Sequence, residues 1–90
     1  MTVRIVIADD HSLIRQGLKT LIHKDSSLRI IAEAGNGVEL LECLRQNPPD
    51  MAILDITMPQ LNGIEAIGKI KKLFPVMAIL ILTMHSGSHY

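Results

Sequence analysis

The 90-residue chain has no net charge, because nine lysines and arginines are matched by nine aspartates and glutamates. Without a basic run it offers no electrostatic footprint for nucleic acid or an anionic membrane, and neither is expected to bind. It has one cysteine, Cys43, so an internal disulfide is excluded and a reducing compartment fits; helix packing is the expected role of the thiol. The longest unbroken apolar run, Val76 to Leu82, is too short to cross a bilayer as a helix. The amino terminus lacks the basic, apolar and small-residue segments of a secretory signal. These absences predict a soluble cytoplasmic protein. A content of 48% hydrophobic and 20% charged residues argues for a packed globule, and the length suits one domain.

What is present is a series of apolar runs, two of which end in aspartate. Asp9 and Asp10 close VRIVIADD, and Asp55 closes DMAILD. A third run, VMAILILT, ends in Thr83. Val3 to Ala8 has the pattern of a buried parallel strand. Leu13, Ile14, Gly17, Leu18, Leu21 and Ile22 then recur at helical spacing, with Ser12 as a candidate N-cap. In Leu28 to Ala34 the alternation of Leu28, Ile30 and Ala32 with Arg29, Ile31 and Glu33 predicts an edge strand. Asn36-Gly37 reads as a turn, followed by a short helix carried by Val38, Leu41 and Leu44 and ended by Asn47-Pro48-Pro49. Met51 to Leu54 is a third strand. Asn62 and Glu65 resemble a capping box opening a helix whose buried stripe is Ile64, Ile67, Ile70, Leu73 and Phe74, with Pro75 as terminator. Val76 to Thr83 makes a fourth strand, apolar throughout.

The order βαβαβαβ implies an α/β parallel sheet. In such a sheet, ligands bind beyond the carboxyl ends of the strands, so Asp9, Asp10 and Asp55 can converge on one site. Clustered carboxylates suit a hard divalent cation such as Mg2+, which keeps several waters and shares its oxygen ligands with phosphate. Asp55 would then be a nucleophile forming an acyl phosphate, and the Thr83 hydroxyl would hydrogen-bond the new phosphoryl group. Plainer roles stay open. Asp55 can cap the following loop, Asp9 and Asp10 can serve as acids at a helix N-terminus, and Thr83 can be an ordinary β-branched strand residue. His11, His23, His85 and His89 show no metal-ligand spacing on a helix face and are assigned to surface or loop positions. Met51, Met58, Met77 and Met84 read as packing residues.

IADDH at 7–11, ILDITMPQLNG at 53–63 and ILTMH at 81–85 resemble the receiver domain of bacterial two-component response regulators, most closely the subgroup with a helix-turn-helix DNA-binding effector. Three motifs in order make the resemblance specific. It implies a flavodoxin-like open sheet with strand order 2-1-3-4, truncated to about four strands and three helices over residues 1–85. Residues 86–90 carry no strand or helix pattern and are read as a tail. It makes Asp55 the phosphoacceptor, charged by a phosphohistidine on a sensor histidine kinase or by a small acyl phosphate. Asp10 becomes a direct Mg2+ ligand, Asp9 a water-mediated one, and the Thr57 carbonyl completes the set alongside Asp55. Thr83, Thr57 and Met84 are the residues placed at the phosphoryl group and its switch, while Pro59 and Gly63 match the turn after the acceptor.

The family continues into a fifth strand ending in a lysine that contacts the phosphoryl group, and no such lysine stands in this sequence. Two alternatives follow. One is a non-signalling fragment that self-associates through strand four or by exchange of elements, because an uncovered apolar edge favours association. The weaker one is a phosphatase of the haloacid dehalogenase type, which needs a second acid two residues after the nucleophile, where Thr57 stands.

Overall fold

The computed structural model describes residues 2–55 and 63–82. The chain alternates β1 (Val3–Ala8), α1 (Ser12–His23), β2 (Leu28–Ala34), α2 (Gly37–Gln46), β3 (Met51–Asp55), α3 (Gly63–Leu73) and β4 (Ala78–Leu82). All neighbouring strands are parallel, and their order across the sheet is β2-β1-β3-β4. β1 lies inside because it is apolar on both faces: Val6 and Ala8 pack toward Leu40 and Leu44 of α2 and Ile70 of α3. Ile5 and Ile7 pack on the other face with Leu18 and Ile22 of α1. Each fully buried side chain of this size is worth about 1.5–3 kcal/mol.

β2 is an edge strand, as its sequence predicts, but its alternation is not continuous. Ile5 pairs with Ile30 and Val6 with Ala32, so a bulge leaves Ile31 as an extra residue. An extra residue reverses the facing of everything that follows. Leu28 and Ile30 therefore join the α1 side, whereas Ala32 and Ala34 join the α2 and α3 side. The same reversal presents Glu33 to α1, where it meets Lys19 at 3.0 Å and Arg15 at 3.8 Å.

The helices follow a narrower apolar row than the sequence suggests. In α1, Ile22 is buried and Ile14 and Leu18 are half-buried, whereas Leu13 and Leu21 are 78% and 63% exposed. Leu13, Gly17 and Leu21 form their own i, i+4, i+8 row, turned away from the sheet. Ser12 is already helical; His11 holds the N-cap position without a side-chain cap bond.

In α2 the buried row is Leu40 and Leu44, with Leu41 half-buried, while Val38 is 60% exposed. The phase is set by the helix start. Asn36 is the N-cap rather than simply a turn residue, its Oδ1 accepting the Glu39 N–H at 2.9 Å, and Glu39 Oε1 accepts the Gly35 N–H at 2.8 Å. Replacing Asn36 with alanine is expected to cost about 0.5–2 kcal/mol, read as a lower urea midpoint at unchanged slope.

In α3, Ala66 and Ile70 are buried, Ile67 and Phe74 are half-buried, and Leu73 is exposed. Asn62 and the side chain of Ile64 lie outside the described residues. β4 is shorter than its apolar run, because Val76 is almost fully exposed and Met77 instead packs into the core. Cys43 packs beside the same core. Burial pushes its thiol pKa up, and the charges of Glu39 and Glu42 add to the rise.

Candidate functional site

Ala8 of β1 pairs with Leu54 of β3, so the next residues, Asp9 and Asp55, leave adjacent strand ends side by side. Both side chains are buried. The Asp9 N–H donates to the Ala34 carbonyl at 3.0 Å, which ties the end of β1 to the end of β2. Asp10 follows into solvent and retains 33% side-chain exposure.

Sequence reasoning assigned His11 to a surface or loop position, and the structure agrees; what the sequence did not show is the company its ring keeps. Its ring lies among all three carboxylates although the side chain is 55% exposed. His11 Nδ1 is 2.8 Å from Asp9 Oδ1, 3.0 Å from Asp10 Oδ1 and 3.7 Å from Asp55 Oδ2. Its backbone N–H also donates to Asp9 Oδ1 at 2.7 Å. That turn was legible, since an aspartate often accepts from the backbone two residues ahead; the ring's position was not. The His11 pKa is raised, first by the hydrogen bond to Asp9, then by the negative charge of Asp10, with smaller contributions from the charges of Asp9 and Asp55.

Asp9, Asp10, His11 and Asp55 each place a ligand atom within 4.8 Å of the others. Asp9 Oδ2 is buried without a hydrogen-bond partner among the described residues. Three carboxylates exceed what one imidazole can neutralise, and buried charge is costly unless it is paired. An orphaned buried oxygen in an all-carboxylate set is the donor chemistry of a hard divalent cation, so the residues fit Mg2+. Of the other residues singled out by sequence, Thr57, Pro59, Thr83 and Met84 lie outside the described residues. Leu82, which precedes Thr83, pairs with Asp55 across β3 and β4.

A family model described as the response regulator receiver domain matches residues 5–90. The chain is 35% identical over 88 residues to the transcriptional regulatory protein YhcZ of Bacillus subtilis, covering 98% of this chain and 41% of that protein. It is 38% identical over 89 residues to the oxygen regulatory protein NreC of Staphylococcus epidermidis, again covering 98% and 41%. The crystal structure of a LuxR-family two-component response regulator from an Aurantimonas species superposes with a TM-score of 0.87 at 38% identity, over 98% of this chain and 63% of that one. The chain thus spans well under half the length of these two curated relatives.

Proposed function

The chain belongs to the response regulator receiver domain family, and from that premise we propose that Asp55 is the phosphoacceptor of a two-component phosphorelay acting in the cytoplasm. The observation that carries this reading is the pairing of two buried carboxylates, Asp9 and Asp55, at adjacent strand ends, with Asp10 beside them at the solvent boundary. An Asp55 oxygen attacks the phosphorus of the donor. The bond from phosphorus to the donor's nitrogen or oxygen breaks, the donor leaves with that electron pair, and Asp55 becomes an acyl phosphate.

Asp10 and Asp55 would hold Mg2+ directly and Asp9 through water, with the Thr57 carbonyl as the remaining protein ligand that the family resemblance implies. Bound there, the cation neutralises charge on the equatorial oxygens of the transferred group. The family resemblance assigns Thr83, with Thr57 and Met84, to contact with the phosphoryl group and to the switch that follows. The donor is the phosphohistidine of a sensor kinase, and the output is regulation of transcription through an effector outside this chain.

Incubation with Mg2+ and acetyl phosphate is expected to give a single phosphoryl adduct by intact mass, and none when a chelator is present from the start. A folded sample that never acquires the adduct would overturn the proposal. The phosphatase reading gains nothing from the geometry, because its required second acid is Thr57.

A second reading, self-association, is favoured by β4. Leu80 is 49% exposed on a strand that pairs only with β3 among the described residues. Such an edge accepts another strand, and a second copy pairing β4 to β4 would cover Leu80. Light scattering showing a monomer at high concentration would exclude it.

A further inference from the structure

We propose that the His11 ring is a removable internal plug that occupies the cation position of the acidic pocket, so that Mg2+ must displace it to bind. This rests on the metal reading of Asp9, Asp10 and Asp55. The point where the carboxylates converge is already taken: Nδ1 lies 2.8 Å from Asp9, 3.0 Å from Asp10 and 3.7 Å from Asp55. Mg2+ needs oxygen ligands at about 2.0–2.1 Å with its remaining waters in near-octahedral order, and an imidazole nitrogen in the same space prevents that arrangement. The ring is also the wrong ligand for the ion, being a nitrogen donor toward a cation that selects oxygen.

The ring is free to leave. More than half of the His11 side chain faces solvent, and it is absent from both apolar clusters of the core. Its departure need not disturb the fold at this point, because the His11 backbone N–H keeps its own bond to Asp9 Oδ1 and the side chain makes no cap bond to α1. The pocket is thus an equilibrium between a ring-in form that satisfies part of the carboxylate set and a ring-out form competent for the ion. Only the ring-out form binds, so apparent affinity falls by the fraction of molecules in that form.

The test is calorimetric titration with MgCl2 alone, in the wild-type chain and in His11→Ala and His11→Phe. Neither variant carries a nitrogen donor, and both are expected to bind Mg2+ roughly threefold to fivefold more tightly, the scale of one competing hydrogen-bonded contact expressed as an occupancy. Equal affinity overturns the proposal, and so does weaker affinity, which would make His11 a ligand. Proton NMR supplies a readout independent of the variants' folding. The His11 Cε1–H resonance in the wild type should move to the position of a solvated histidine as Mg2+ saturates, and a resonance that stays put overturns the displacement. Asp10→Asn separates the metal reading from the displacement: Mg2+ binding by the wild type that Asp10→Asn weakens upholds the metal reading, and the His11 variants then decide the displacement. Absence of Mg2+ binding in the wild type and both His11 variants overturns that reading and this inference with it.

Discussion

Asp55→Asn is expected to reduce phosphoryl transfer from acetyl phosphate by on the order of 10³-fold or more, the scale of loss when a nucleophile is removed. The substitution keeps the shape of a fully buried side chain and changes only its chemistry, since a carboxamide oxygen cannot attack phosphorus to give a stable acyl phosphate. Intact mass after incubation with Mg2+ should show the adduct in the wild type and none in the variant. A circular dichroism spectrum that matches the wild type would locate the loss in the chemistry rather than the fold. Asp10→Asn leaves the nucleophile in place and should give a smaller defect, because Asp10 is at the solvent boundary and raised Mg2+ can compensate a weakened ligand set. A variant at Asp55 that still acquires one phosphoryl group would move the acceptor elsewhere and end the present assignment.

Leu40→Ala should be among the most damaging single changes away from the pocket. Leu40 is fully buried in the cluster that joins α2 and α3 to the central strands, and truncating a buried leucine costs about 2–5 kcal/mol in transfer free energy and residual cavity. A domain of 90 residues has a total stability of roughly 4–14 kcal/mol, so this one change removes a large part of it. Urea unfolding should show a much lower midpoint, and at the lower end of that range a chain already unfolded in buffer. Leu13→Ala and Leu21→Ala, the same substitution on exposed residues, should fall within about 0.5 kcal/mol of the wild type. If Leu21→Ala proved as costly as Leu40→Ala, that row of α1 would be covered in solution.

The contrast between those leucines shows where sequence reading succeeds and where it stops. Strand ends were legible, because a carboxylate that terminates an apolar run has few other places to go; Asp9 and Asp55 meet as expected once β1 and β3 are neighbours. The strands, their order and the edge position of β2 also agree with expectation. Helix rows were legible only to within one position. Val38 and Leu40 each fit a helical repeat with Leu44, but they lie two residues and therefore about 200° apart around the helix, so only one of them can face the core. The bulge could not be read from β2 alone: Ile31 interrupts the polar face of the alternation, but the extra residue is set by pairing with Ile5 and Val6 on another strand. The neighbours of the His11 ring went unread for a related reason, although its exposed loop position agrees with expectation. Its local sequence marks a loop, and only the arrival of Asp55 from a distant part of the chain gives its ring a third carboxylate.

The bond from the Asp9 amide to the Ala34 carbonyl gives the pocket a clock. It joins a buried acid to the last residue of an edge strand, and edge strands are among the first elements to open in native-state fluctuations. The exchange of the Asp9 amide hydrogen with solvent deuterium therefore measures how often the end of β2 comes away, well before global unfolding. Any occupant that steadies Asp9 also steadies the carboxyl end of β2, and the slowing of that one amide would report it from the backbone, without a label on the occupant.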